Sequence, residues 1–148
     1  MTSSLRGICI LDITVELGSA GYHSGEVGGI VPETFRILRT LIDRLDDSKT
    51  GQVCDELRVN PVPDWKMEEA KFMADLAGPE MHNKYGIVEG GKYCNQDDRV
   101  KMYLGNVWEP NLSITGADGL PPVGMAGNVV RSSTSVRLSM RLPPSKNP

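Results

Sequence analysis

The octapeptide Tyr22-His23-Ser24-Gly25-Glu26-Val27-Gly28-Gly29 holds one of only two histidines in this 148-residue chain, the other being His82. Imidazole is the side chain best suited to exchange or donate a proton near neutral pH. His23 stands where a strand pattern ends and a helix pattern begins, a junction at which a rigid scaffold aims a side chain and a loop exposes it. The glycines on both sides let the backbone turn sharply and come close to another group without Cβ interference. His23 is therefore the candidate catalytic residue, and a solvated histidine in a glycine-rich hairpin is the plainer alternative. Metal chemistry is not expected from this chain alone. It has two histidines, no HExxH or HxD pattern, and three cysteines, Cys9, Cys54 and Cys94, too far apart to form a CxxC pair. The cysteines read as unbridged thiols of a reducing cytoplasm.

The elements that must position His23 are legible on both sides of it. From Arg6 to Leu17 the residues alternate, with Cys9, Leu11, Ile13, Val15 and Leu17 on one side and Asp12, Thr14 and Glu16 on the other. Period two over this length predicts a half-buried strand. Beyond the glycine loop, Pro32 and Glu33 suit a first helical turn, and Phe35, Leu38, Leu41, Ile42 and Leu45 then recur at helical spacing. Asp46 to Gly51 closes that helix with turn residues. The middle, about 52–107, is less regular and reads as an insertion. A helix capped by Asp64 runs through Met67, Ala70, Phe72 and Leu76 to Gly78-Pro79, a loop covers Met81 to Gln96, and a short helix spans Asp97 to about Asn106. Alternation returns in a short strand over Asn111–Gly116. It is sharpest at the end, where Val136, Leu138, Met140 and Leu142 face one way and Ser135, Arg137, Ser139 and Arg141 the other.

Strand, helix, strand, strand predicts an α+β fold: an antiparallel sheet with helices on one face, within a single domain over residues 1–148. A complete ferredoxin-like split-βαβ fold would need one more helix and strand after Pro143-Pro144, so the fold is expected to lack its last two elements. The 16 basic and 19 acidic residues form no long like-charge block, which argues against nucleic acid as a partner. No apolar run is long enough to cross a bilayer, and the N-terminus has no basic-then-apolar leader pattern, so a membrane is not expected either.

Three ordered segments resemble one family. They are Gly21-Tyr22-His23-Ser24-Gly25 with Gly28-Gly29; Trp108-Glu109-Pro110-Asn111-Leu112-Ser113-Ile114 with Gly116 and Gly119; and Ala126-Gly127-Asn128-Val129-Val130 leading to Leu138-Ser139-Met140-Arg141-Leu142-Pro143-Pro144. Together, over about Leu5 to Pro144, they resemble the lid, or dimerisation, domain of the zinc metallopeptidases related to carnosinase, acetylornithine deacetylase and succinyl-diaminopimelate desuccinylase. The resemblance implies a separate catalytic domain, absent from this chain, that binds two zinc ions bridged by a carboxylate. It implies a homodimer through the lid, and a peptide or N-acyl amino acid as substrate. His23 matches the lid histidine that reaches the active site of the partner subunit and donates to an oxyanion. Asn128 matches a polar residue beside the substrate carbonyl or carboxylate, where relatives can have threonine. Arg141 matches the arginine whose guanidinium fork grips the free carboxylate of the substrate. Gly28 and Gly29 are expected to be structural.

The resemblance thus implies the lid of a cytoplasmic dipeptidase-like hydrolase, silent without its metal domain and paired through its first helix and an edge strand. A non-catalytic protein-interaction module and a small-ligand-binding domain are the alternatives. For Asn128 the alternative is a turn-shaping residue; for Arg141, a solvated arginine like Arg137.

Overall fold

Ten residues, Ser133–Leu142, form the strand around which the sheet is built, and their side chains alternate as the sequence predicts. Thr134, Val136, Leu138, Met140 and Leu142 are buried, while Arg137 and Arg141 are exposed. The computed structural model describes residues 5–146; residues 1–4 and 147–148, the ends of the expected 1–148 module, lie outside the described residues. In chain order the strands are β1 (Gly7–Glu16), β2 (Tyr22–His23), β3 (Asn111–Asp118), β4 (Val129–Val130) and β5 (Ser133–Leu142). The α-helices are α1 (Ser24–Val27), α2 (Thr34–Ile42), α3 (Asp64–Ala77), α4 (Glu80–Asn83) and α5 (Arg99–Val107).

The chain divides into two compact units, one of residues 5–7, 55–111 and 141–146, the other of Ile8–Cys54 and Leu112–Met140. The second unit carries most of a three-stranded sheet of order β1-β5-β3, with β5 in the centre. Its register is antiparallel on both sides. Leu17 N–H donates to the Ser132 carbonyl at 2.8 Å, the Thr14 and Ser135 hydroxyls meet at 2.7 Å, and Asp12 lies opposite Arg137. Across the other edge, Gly119 approaches Ser133 and Gly116 approaches Arg137. One face of this sheet packs under α2, where Val15, Leu38, Val136 and Leu138 are buried with Ile13, Ile37, Leu41, Ile42, Leu45 and Leu112 around them. Burying one such aliphatic side chain is worth about 1.5–3 kcal/mol. Four of the five apolar positions predicted for this helix pack there. Phe35 does not, and is 37% exposed.

The ends and faces of several elements differ from the expectation. Glu33 is not inside α2 but caps it, accepting Phe35 N–H at 3.0 Å and also Arg36 N–H. A carboxylate there satisfies two otherwise orphaned donors at the positive end of the helix. Leu11 in β1 and Leu17 just past its end are exposed at 39% and 45%, so the inward stripe narrows to Cys9, Ile13 and Val15. Below the helix cap lies a contact the sequence does not announce. Thr34 and Thr134, 0% and 1% exposed, share a hydrogen bond between their hydroxyls at 2.7 Å.

The first unit has its own core of Ala70, Leu104 and Trp108, where α3 meets α5. Here Pro63, not Asp64, is the cap of α3, and Asp64 opens its first turn beside the helix dipole. Lys66 is only 3% exposed. Its ammonium lies 5.5–5.9 Å from the rings of Trp65, Tyr103 and Trp108, and it pairs with Glu69 at 2.8 Å. Lys66 and the Tyr103 hydroxyl, both donating to Glu69, hold its carboxyl below the usual carboxylate range. Arg6 satisfies the end of α5 by donating to the carbonyls of Gly105 and Glu109. The stretch expected as loop over Met81 to Gln96 contains most of one extra turn, α4, because Pro79 presets a helical φ just after Gly78. Otherwise it is turns, in which His82 leans on the ring of Tyr93 and the Tyr93 hydroxyl donates to the Tyr85 carbonyl. No helix among the described residues is long and apolar enough to cross a membrane.

Replacing Thr34 or Thr134 by valine strands the other buried hydroxyl. Each single change is expected to cost about 1–3 kcal/mol in urea unfolding, and the double change distinctly less than the sum. Additive losses would contradict the pair.

Candidate functional site

The loop that carries His23 is not simply the end of β1. After β1 the chain runs through Leu17–Gly21 and then forms the two-residue strand β2, which pairs antiparallel with β4. Tyr22 lies opposite Val130, and His23 opposite Val129. The next amide, Ser24 N–H, donates to the Asn128 carbonyl at 2.8 Å. Val129 N–H turns back to the Gly127 carbonyl at 2.8 Å, so Asn128 stands at the apex of a tight bend. The first and third of the three sequence segments are thus joined by backbone hydrogen bonds, and His23 and Asn128 become neighbours across more than 100 residues of chain.

Both side chains are exposed. His23 caps α1 with its ring: Nδ1 accepts the Gly25 N–H at 3.1 Å. Its Nε2 and the Asn128 carboxamide make no hydrogen bond with other described residues. Gly28 N–H closes the short helix on the Ser24 carbonyl at 2.9 Å, and Gly29 follows with a φ of 83°, a backbone conformation that favours glycine.

Arg141 belongs to the other compact unit, on the polar side of β5. Its surroundings separate it from Arg137. The Arg137 guanidinium makes two parallel hydrogen bonds to Asp12, at 2.7 and 2.8 Å, which lowers the aspartate pKa and raises that of the arginine. Among the described residues no hydrogen bond or ion pair engages the guanidinium of Arg141. Its like charge instead adds to burial in lowering the pKa of Arg6. The outward arginines of β5 are therefore not equivalent: one is neutralised in place, the other keeps its charge uncommitted.

The residues present do not fit a zinc site. No group of three or more His, Cys, Asp or Glu among the described residues is placed to hold a metal ion, and the Nδ1 lone pair of His23 is taken by a backbone amide. The sequence reading missed the β2–β4 pair, the Gly25 contact and the Asp12–Arg137 pair. Only the last had a signal, since Asp12 and Arg137 both fall on the polar sides of their strands.

No family model matches the chain. Among characterised proteins it is 27% identical over 144 residues to the Cys-Gly metallodipeptidase DUG1 of Saccharomyces cerevisiae, covering 97% of this chain and 29% of that protein. It is 26% identical over 149 residues to the beta-Ala-His dipeptidase of Rattus norvegicus, covering 100% of this chain and 30% of that protein. The fold matches human carnosine dipeptidase 1 with a TM-score of 0.71 at 23% identity, over 97% of this chain and 30% of that one. It also matches the M20 family metallo-carboxypeptidase Sso-CP2 from Sulfolobus solfataricus, with a TM-score of 0.68 at 18% identity, over 98% of this chain and 37% of that one. The kinship with carnosinase-related metallopeptidases implied by the three sequence segments is borne out. The chain spans about 30% of the length of the curated relatives it matches.

The β2–β4 pair leaves no room for a side chain at Gly21, where a Cβ would sit 2.6 Å from Val129 Cγ1 and 3.3 Å from the Val130 carbonyl. Gly21→Val is expected to part the two strands. Hydrogen exchange at the Ser24 amide should then quicken roughly five- to tenfold, the equivalent of one hydrogen bond of about 1 kcal/mol. Exchange at Leu138 should stay slow, and unchanged exchange at Ser24 would count against the pairing.

Proposed function

We propose that residues 1–148 are the lid and dimerisation module of a dipeptidase-like zinc metallopeptidase or amidohydrolase, of ferredoxin-like split-βαβ descent, with an insertion at about 52–107. The observation that carries this reading is the β2–β4 pair, which brings the backbones of His23 and Asn128 together at one exposed loop, where their donor groups make no hydrogen bond with other described residues. The kinship with metallodipeptidases supplies the reaction class. Hydrolysis of an amide passes through a tetrahedral intermediate whose oxygen gains negative charge. Preorganised donors at that oxygen are worth about 2.7–4 kcal/mol.

In this reading His23 donates from Nε2 to the developing oxyanion, and the Asn128 carboxamide donates to the same oxygen. The Arg141 guanidinium holds the free carboxylate of a peptide or N-acyl amino acid. Among the described residues it has no hydrogen-bond or ion-pair partner, whereas Arg137 is already bound to Asp12, and this supports that role. In this reading two zinc ions belong to a separate catalytic domain. Alone, the module binds substrate groups and is silent. Pairing between copies would use α2 and an edge strand, β1 or β3, where Ile8, Ile10 and Ile114 are exposed. A reducing cytoplasm suits its unbridged thiols.

The test is made in the polypeptide that joins this module to its metal domain. His23→Ala is expected to lower kcat roughly 10²–10³-fold with bound zinc unchanged. Arg141→Lys should mainly raise KM for substrates with a free carboxylate, because an ammonium cannot copy the bidentate grip. Turnover that survives His23→Ala intact would remove the proposed role.

A further inference from the structure

We propose that Gly25 is the positioning residue for the His23 imidazole. Its amide proton fixes which ring nitrogen carries a hydrogen, and its missing side chain leaves the space in which the ring lies. The inference deepens the reading of His23 as an oxyanion donor and rests on it.

A neutral imidazole has one donor and one acceptor nitrogen, and the partner of one nitrogen decides the state of the other. Gly25 N–H points at Nδ1 from 3.1 Å, so Nδ1 must offer its lone pair and the ring hydrogen must be on Nε2. The Nδ1–H tautomer would set two N–H groups face to face. Nε2–H is the form that an oxyanion donor requires, and Nε2 is the nitrogen left without a partner among the described residues.

Sterics enforce the same arrangement. A Cβ on residue 25 would fall 3.1 Å from Nδ1 and 3.2 Å from Cε1 of His23, tighter than ordinary van der Waals contact. The ring would have to give by a few tenths of an ångström, lengthening the Nδ1 contact with the amide and shifting Nε2 with it. Consecutive amides therefore set the two proposed donors: Ser24 N–H fixes the backbone of Asn128, and Gly25 N–H fixes the ring of His23. Two successive N–H groups of one short helix hold both sides of the site, and His23 supplies the cap that helix needs.

The test is nitrogen NMR on the 148-residue chain with labelled histidine rings, at about pH 8.5, above the ordinary histidine range. For His23 it should show a single tautomer, with Nε2 protonated and Nδ1 acting as acceptor, coupled across the hydrogen bond to the Gly25 amide nitrogen. Gly25→Ala should abolish that coupling and mix the tautomers, while exchange at Ser24 stays slow. In the polypeptide joined to its metal domain, Gly25→Ala should lower kcat roughly tenfold, with zinc content and KM little changed. His23→Asn is the folding control: its side-chain oxygen can still cap the Gly25 amide, so the loop stays formed while the Nε2 donor is lost. A mixed tautomer in the unaltered chain, or a Gly25→Ala ring identical to it, overturns the inference even if His23→Asn is inactive. Full turnover in His23→Asn with the tautomer fixed as described overturns instead the donor role on which it rests.

Discussion

Two residues of β2 against two of β4 form the smallest element of the structure, and the candidate site depends on them. Neither strand could persist alone, since an isolated two-residue ladder has almost no burial to offset the entropy of ordering it. The pair holds because larger elements deliver its halves to one place. β1 brings the chain to Gly21, β5 begins three residues after Val130, and Leu17 N–H on the Ser132 carbonyl ties those two approaches together at 2.8 Å. The core of Val15, Leu38, Val136 and Leu138 stabilises that frame, and the short pair then fixes the register of His23 against Val129.

This arrangement separates stability from chemistry. The large apolar contacts sit between α2 and the sheet, and the buried Thr34–Thr134 hydrogen bond pins the start of the helix to β5. The candidate groups, His23 and Asn128, project from exposed backbone held by a few hydrogen bonds. Such a loop can be aimed by a rigid scaffold while the residues on it remain open to solvent or to another polypeptide. The arginines of β5 differ in the same way. Asp12 makes Arg137 part of the sheet's surface, while no hydrogen bond or ion pair among the described residues engages the guanidinium of Arg141.

What could be read from the sequence follows from how each feature is encoded. β5 and α2 carry their burial in their periodicity, so Val136, Leu138 and Met140 and the stripe through Leu38 and Ile42 were legible. The β2–β4 pair was not, because two residues have no period. The Thr34–Thr134 bond joins positions 100 residues apart, and nothing local marks either threonine as buried. Lys66 reads as a surface residue, and only three aromatic rings and Glu69 converging on it reveal otherwise. His23 stood out from its place between a strand pattern and a helix pattern, whereas Asn128 and Arg141 entered through resemblance alone. Their surroundings, including the amide that engages the His23 ring, required coordinates.

The central claim is that His23 and Asn128 serve one oxygen together. A double-mutant cycle on kcat, with His23→Ala, Asn128→Ala and both changes in the polypeptide that carries the metal domain, tests it most directly. Groups acting as a unit lose most of their effect when either is removed, so the double variant should be little slower than the worse single one. Losses that multiply independently would contradict the account.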